Sequence, residues 1–341
     1  MTTRSFPLNQ WYVAATSAEV GRTPLGRTIC GEALVMFRRQ DGSIAALDDR
    51  CPHRLYPLSD GQLVGDDIEC GYHGLRFNGA GTCTHMPAQK TIPARFGTRS
   101  YPAAERDGWV YVFMSGSGGD ATRADPAAIP AFPENNGPGW AASGALRHVA
   151  ANWQLVVDNL LDLTHLTFVH KTTLAGPGIQ ENPLSVRVEG DRVTARREMR
   201  SVDPAPIFRT LRHFPGKIDR FQNLIFMPPC HVVVRIEASP AGAVDDPDLV
   251  HHVVLNHLTP ESERTTHYFW SICRRMRLDD AAAGQHLFEL NRSAFEEDAA
   301  VLARQQAMID RAPPDAALAN LEADRAIVEA RRIVRRLVEG T

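Results

Sequence analysis

Two short cysteine–histidine pairs constrain this chain more than any other feature. Cys51-Pro52-His53 and Cys70-Gly71-Tyr72-His73 lie in the run CPHRLYPLSDGQLVGDDIECGYHGLRF, with sixteen residues between His53 and Cys70. Each pair offers one thiolate and one imidazole. In one type of [2Fe–2S] centre two histidines replace two cysteines on one iron, which raises the reduction potential over an all-cysteine cluster. Two tight loops carrying these short spacings could grip a flat cluster, and Pro52 and Gly71 suit such turns. The alternative is a Cys2His2 zinc site, but zinc fingers usually pair like ligands. Mixed pairs on a β background favour the cluster.

The background is β because residues 9–114 read as short strands with tight turns. Trp11–Ala14, Leu34–Arg38, Ile44–Leu47 and Trp109–Met114 are rich in aliphatic, aromatic and β-branched types, and Asp41-Gly42 is a hairpin signal. Ser115 to Gly139 is dominated by Gly, Pro, Asp and Ala and reads as a surface linker. Trp153 to about His170 is helical in pattern. Strands are expected at Ser185–Val188, Arg192–Arg200, Val232–Glu237, Val250–Leu258 and Thr266–Ile272, with a hairpin connection at Val188–Arg192. From Ala281 the pattern is helical again, broken near Ala312-Pro313-Pro314. The expected fold is α+β: an N-terminal all-β domain (1–118), a linker (119–140) and a domain of antiparallel sheet with covering helices (141–341).

Composition narrows the function. The 341 residues carry a formal net charge of −3, so no polybasic face invites nucleic acid or an anionic membrane. Arg331-Arg332 and Arg335-Arg336 read as a solvated helix face. No apolar run fits a signal peptide or a membrane span, and the expected location is the cytoplasm. There the six cysteines serve as thiols or metal ligands, with Cys30, Cys83, Cys230 and Cys273 expected as buried thiols.

A second constellation lies in ANWQLVVDNLLDLTHLTFVH, residues 151–170. On a helix Asp158/Asn159, Asp162 and His165 share one face. A solvated polar stripe would explain that, but no Lys, Arg or Glu appears between Trp153 and His170. His170, five residues after His165, needs the helix to end or bulge first. Two histidines and one carboxylate with open positions form a non-haem iron site for O2. In the late run HLFELNRSAFEEDAAVLARQQ, Asp298 falls on the apolar stripe of Leu287, Leu290, Ala294/Phe295 and Val301/Leu302, while Glu296 and Glu297 rotate off it. A buried Asp is costly unless paired or metal-bound, which favours Asp298 over Glu297 as the third ligand. The nine other histidines are treated as core, surface or pocket residues, and Trp270 and His251 lie on strands that could line a pocket.

The CPHR and CGYHGLRF loops resemble the Rieske domain of Rieske non-haem iron oxygenases, and NWQLVVDNLLDLTHLTFVH and FEED resemble that family's catalytic domain. The likeness covers nearly the whole chain, including NQWYVAA, and is nearest to oxygenase components of the vanillate O-demethylase type. Leu55-Tyr56 departs from the family's usual Gly and small residue. The resemblance implies a helix-grip catalytic domain and a [2Fe–2S] cluster on Cys51, His53, Cys70 and His73. It implies Fe(II) on His165, His170 and Asp298, with Asp162 a bridging carboxylate and Asn159 beside the iron. It further implies a homotrimer, O2 as co-substrate and a small aromatic substrate, a methoxylated acid whose O-demethylation gives a phenol and formaldehyde. The other readings are hydroxylation of a methyl or ring carbon, and an electron carrier without oxygenase activity. The chain has no nicotinamide or flavin fingerprint and no plant-type ferredoxin run, so NAD(P)H would act through a separate flavin or ferredoxin-type reductase.

Overall fold

A computed structural model describes residues 6–340 except 88, 116–120, 171–178, 180, 244, 314, 315 and 317, and the side chains of 206 and 209. The chain divides into two compact units, one reaching Ala131 and including Thr259–Ser262, the other made of Phe132–Leu258 and Glu263–Gly340. The boundary expected at residue 118 lies outside the described residues.

Among the described residues the first unit is all β apart from two 3-10 turns. Its strands are β1 (Gln10–Thr16), β2 (Leu25–Ile29), β3 (Glu32–Arg38), β4 (Ile44–Asp48), β5 (Gln62–Val64), β6 (Asp67–Glu69), β7 (Arg76–Phe77), β8 (Cys83–His85), β9 (Ser100–Tyr101), β10 (Ala103–Arg106) and β11 (Trp109–Met114). They form three small sheets, ordered β1-β11-β10, β2-β3-β4-β9 and β5-β6-β7-β8. Asp41-Gly42 does turn β3 into β4, with Gly42 at φ 86°. Seven of these strands lacked a clear pattern because each is only two to five residues long and the loops, not side-chain alternation, dictate them.

The second unit carries β12 (Ala141–Val149), α1 (Trp153–Leu161), α2 (Leu166–Val169), β13 (Ser185–Glu189), β14 (Arg192–Val202), α3 (Pro206–Leu211), β15 (Ile218–Met227), β16 (His231–Pro240), β17 (Val250–Pro260), β18 (Thr266–Arg274), α4 (Ala281–Ile309) and α5 (Arg325–Glu339). The seven strands make one antiparallel sheet ordered β12-β18-β17-β16-β15-β14-β13. Helix α1 lies against β15 and β16, α5 against β14 and α1, and α4 against β12, α1 and α3. This is the helix-covered antiparallel sheet expected from the pattern. Strands β12 and β15 went unanticipated: Gly144 interrupts the first, and polar residues occupy inward positions of the second. No helix among the described residues is long and apolar enough to cross a membrane.

Helix α4 frames the unit. Asp280 caps its first turn, accepting from Ala283 N at 2.8 Å. Its buried stripe runs Leu287, Asn291, Ala294, Phe295, Asp298, Ala299, Leu302 and Gln306, spaced three or four apart, while Val301 turns outward. Leu287 joins Ile207, Phe208, Leu211 and Ile218 in a core where each fully buried side chain contributes about 1.5–3 kcal/mol. The described part of the expected surface linker is held by specific contacts: Trp11 Nε1 donates to Asp125 O at 2.9 Å, Phe132 is buried, and Glu134 pairs with Arg235. Nor is the arginine face of α5 simply solvated. Arg331 pairs with Asp158 of α1 and Arg336 with Asp191. Cys83, Cys230 and Cys273 are buried, whereas Cys30 is half-buried at the β2–β3 turn.

A Cβ on Gly144 would lie 2.1 Å from Trp270 O in the neighbouring strand. Gly144→Ala should therefore force β12 off β18 and cost about 2 kcal/mol or more, read as a lowered denaturation midpoint.

Candidate metal centres and the cavity beside one of them

The loops between β4 and β5 and between β6 and β7 share one construction. Cys51 N donates to Tyr56 O (2.9 Å) and Leu55 N to Cys51 O (2.8 Å). In the second loop Cys70 N donates to Leu75 O (2.8 Å) and Gly74 N to Cys70 O (3.0 Å). Gly74 takes φ 69° in the second loop, and Leu55 takes φ 57° in the first, where the family's glycine would be at ease. The departure at Leu55 thus holds the left-handed turn at a strain cost and projects an exposed side chain. Tyr56 lies under the other loop, its ring 5.6 Å from that of Tyr72.

These turns send the two thiols one way and the two imidazoles the other. Cys51 and Cys70 are 1% and 2% exposed in a core with Leu58, Ile68, Leu75 and Phe77. Burial, reinforced by the neighbouring Cys70 sulfur, pushes the Cys51 thiol up to about 11. A thiol raised in this way becomes a thiolate on binding a metal. His53 and His73 are exposed, with ring centroids 4.5 Å apart. A paired set of sulfurs inside and a paired set of nitrogens outside fits a cluster whose two irons have unlike ligands. A single tetrahedral zinc has no need of that polarity.

In the second unit α1 is capped by Asn152, whose side chain accepts from Gln154 N at 2.9 Å. The helix stops at Asp162, which also caps the 3-10 turn Leu163–His165 by accepting from Thr164 N (2.8 Å) and Thr164 Oγ1 (2.6 Å). That break comes before His165, and α2 then ends on His170. The two imidazoles therefore converge despite their five-residue spacing, with ring centroids 5.2 Å apart. Asp298 arrives from the buried stripe of α4. Ligand atoms of His165, His170 and Asp298 all lie within 4.8 Å of one another.

The hydrogen bonds orient all three. His165 Nδ1 contacts the backbone carbonyl of Asp162, and His170 Nδ1 is 2.6 Å from Glu297 Oε2. Both rings thus donate through Nδ1 and turn Nε2 toward Asp298 Oδ1, at 3.5 and 3.1 Å. Asn159 Nδ2 donates to the same oxygen at 3.1 Å. Burial outweighs the Asp298 charge at His165 and lowers its pKa, keeping the ring neutral as a ligand must be. At His170 burial pulls down, but Asp298 and Glu297 together pull it up further.

Three expectations change at this site. Asp158 does not join Asn159 here but faces Arg331. The carboxylate of Asp162, expected as a bridge, holds Thr164 within this chain, and it is the Asp162 main-chain oxygen that contacts His165. Glu297 does not simply turn away from the stripe: its carboxylate reaches His170. No pattern in the sequence marks it, since its role follows from the angle at which the helices cross.

A cavity opens onto this trio. Its helix-borne walls include Asn159, Leu163, Leu166, Asn291 and Phe295, and its sheet-borne walls include Arg220, Gln222, Val234, Ile236, His252 and Val254. His252 lines it, whereas His251 points to the other face toward Glu237 (3.4 Å). Trp270 is packed behind Phe295 and Phe288, with ring centroids 5.2 and 5.1 Å away. Strand alternation separates 251 from 252 but cannot tell which faces inward.

Residues 10–102 match the Rieske [2Fe-2S] domain family, and residues 149–340 match the vanillate O-demethylase oxygenase C-terminal domain family. The chain is 36% identical to the vanillate O-demethylase oxygenase subunit of a Pseudomonas species, over 98% of this chain and 95% of that one. It is 33% identical to the iron-sulfur subunit of the toluene-4-sulfonate monooxygenase system of Comamonas testosteroni, over 98% of both. The crystal structure of dicamba monooxygenase bound to dicamba superposes with a TM-score of 0.91 at 33% identity, covering 98% of both chains. A thiol–imidazole cradle in one unit, a two-histidine, one-carboxylate trio in the other and these likenesses make the chain the oxygenase component of a Rieske monooxygenase, of the vanillate O-demethylase type.

Proposed function

We propose that this oxygenase removes a methyl group from a methoxylated aromatic acid, yielding a phenol and formaldehyde. The observation that carries the proposal is the opening of the His165–His170–Asp298 trio onto a cavity of mixed apolar and hydrogen-bonding walls. The relatives supply the direction: those acting on vanillate and on dicamba are named O-demethylases. In the overall balance ArOCH3, O2, two electrons and two protons give ArOH, formaldehyde and water. The hydroxylated methoxy carbon is a hemiacetal that splits without further help. Hydroxylation of a methyl carbon is the second reading, favoured by the likeness to the toluene-4-sulfonate system.

In this scheme Cys51, Cys70, His53 and His73 hold the cluster, and His165, His170 and Asp298 hold a mononuclear Fe(II). When bound, the cluster relays single electrons from a separate reductase and the iron activates O2 against a C–H bond. The chain's own residues prepare for this. Glu297 and the Asp162 carbonyl fix both imidazole tautomers, Asn159 steadies Asp298, and Leu163, Leu166 and Phe295 keep bulk water off the reacting carbon. The chain would work as a homotrimer. The Asp162 carboxylate, with Oδ1 engaged by Thr164, would offer Oδ2 to His73 of the partner subunit and so couple the two centres.

Product analysis tests the reaction. With O2 and a generic reductase, the enzyme should release one formaldehyde per methoxybenzoate consumed, and a hydroxylated product without formaldehyde would refute demethylation. Asp298→Ala should release none and hold roughly two irons per chain in place of about three, with both sulfides retained. Asp162→Asn keeps an Oδ1 acceptor for Thr164 but loses the charge. It should bind both metals and turn over at a few per cent of the wild-type rate or less, and normal turnover would remove the bridge. Glu297→Ala should weaken iron binding by roughly 10- to 100-fold in a chelator competition, whereas Glu296→Ala, which loses ion pairs with Arg292 and Arg147 and touches neither imidazole, should not.

A further inference from the structure

One cation in the cavity wall has no anion. Arg220 stands near the start of β15, is 4% exposed and lines the cavity that His165, His170 and Asp298 also line. Among the described residues no carboxylate pairs with it, and its Nε has no hydrogen-bond partner. The Phe208 ring lies 5.2 Å from its guanidinium carbon. His252 on β17 lines the same wall, and neither Nδ1 nor Nε2 has a partner. On the inward face Arg220 stands level with Ala238 and Val250, one pleat along from Gln222, Ile236 and His252.

An unpaired guanidinium in an apolar interior is among the costliest things a fold can hold. Burial, with the nearby Arg197 charge, pulls Arg220 down to about 10, and burial with the Arg220 charge pulls His252 down to about 4. At neutral pH the wall therefore presents one guanidinium and one neutral imidazole, both with unused N–H donors. Gln222 beside them has its Oε1 turned to Arg197 at 3.4 Å. The single carboxylate among the described lining residues, Asp298, is held by Asn159 and His170. The one carboxylate among the described lining residues is thus committed to the trio, none is left for Arg220, and the ligand must bring the negative charge.

We infer that Arg220 and His252 form the anion-recognition wall of the substrate cavity, taking the carboxylate of an aromatic acid and turning its other end toward the trio. The planar fork of a guanidinium matches the two oxygens of a carboxylate, and neutral His252 adds one N–H donor. The iron-side groups choose the reaction, and the sheet-side groups choose the charge class of the substrate. Ligand binding would relieve the buried charge, so the wall costs stability in the free enzyme and returns it on binding.

This inference rests on the cavity being the substrate site of the demethylase proposed above, and the experiment separates the two. Iron-loaded enzyme is titrated calorimetrically with 3- and 4-methoxybenzoates, the matching benzamides and 4-methoxybenzenesulfonate, with formaldehyde scored in parallel. Wild type should bind the benzoates at least tenfold more tightly than the benzamides, a charge-assisted contact being worth roughly a factor of 10–100. Arg220→Met should erase that preference, and Arg220→Lys should keep part of it. Without ligand, Arg220→Met should melt no lower than wild type, because an unpaired buried charge has gone, and it should lose the thermal shift that benzoates give. Equal binding of acids and amides by wild type, benzoate affinity unchanged in Arg220→Met, or a steep loss of its unliganded stability would each overturn the inference. A sulfonate preferred tenfold over the carboxylate would overturn the carboxylate assignment. Benzoates held through Arg220 but converted without formaldehyde would leave the wall standing and remove the demethylation. Formaldehyde from neutral methoxyarenes with no preference for acids would do the reverse.

Discussion

A carboxylate on the buried face of a long helix is the constraint on which the catalytic unit depends. Asp298 is the one charged residue on a buried stripe of α4 that otherwise carries leucine, alanine, phenylalanine and two amides, Asn291 and Gln306. Leaving it ionised and unmet there would cost several kcal/mol. The surrounding structure is arranged to meet it: Asn159 from α1 and two imidazoles from the segment beyond the α1 break all approach the same Oδ1. Those histidines reach it because Asp162 ends one helix and starts a 3-10 turn with the same side chain. Remove the carboxylate and the kinked segment has nothing to converge upon.

The first unit solves a related problem differently. Its candidate ligand atoms are sorted by solvent, with thiols sealed in hydrocarbon and imidazoles left in water. Sulfur ligands gain from a dry setting that keeps the cluster from hydrolysis, and exposed nitrogens leave one side open to electron exchange. The sorting comes from two short loops closed by backbone hydrogen bonds, which accounts for the minimal strands around them. These strands are scaffolding for the loops and bury little on their own.

Legibility in the sequence followed the same division. Tight spacing made the thiol–imidazole pairs readable, since one and two intervening residues leave few geometries. Asp298 was readable because a charge on an apolar stripe violates helical patterning. Glu297 was not, for it lies at the edge of that stripe and acts through a residue from a distant segment. Arg220 escaped notice for another reason. On β15 the inward side reads Ile218, Arg220, Gln222, Leu224, polar where a core strand should be apolar, so the pattern resembled no strand at all. The strand was hardest to recognise where the cavity needed it least strand-like.

The neighbouring acids of α4 set a limit on how this fold can vary. Successive residues on a helix differ by about 100° in direction, so Glu297 and Asp298 can address two nitrogens of one imidazole only in a fixed phase. One residue inserted between Leu287 and Asp298 would swing both acids a quarter-turn or more and carry the packing stripe away from the carboxylate. Loops at either end of the rod can lengthen freely, and the strands facing the ligand can trade one side chain for another. The rod between them works as a gauge of constant length, so divergence among such chains is channelled into the sheet and the connections.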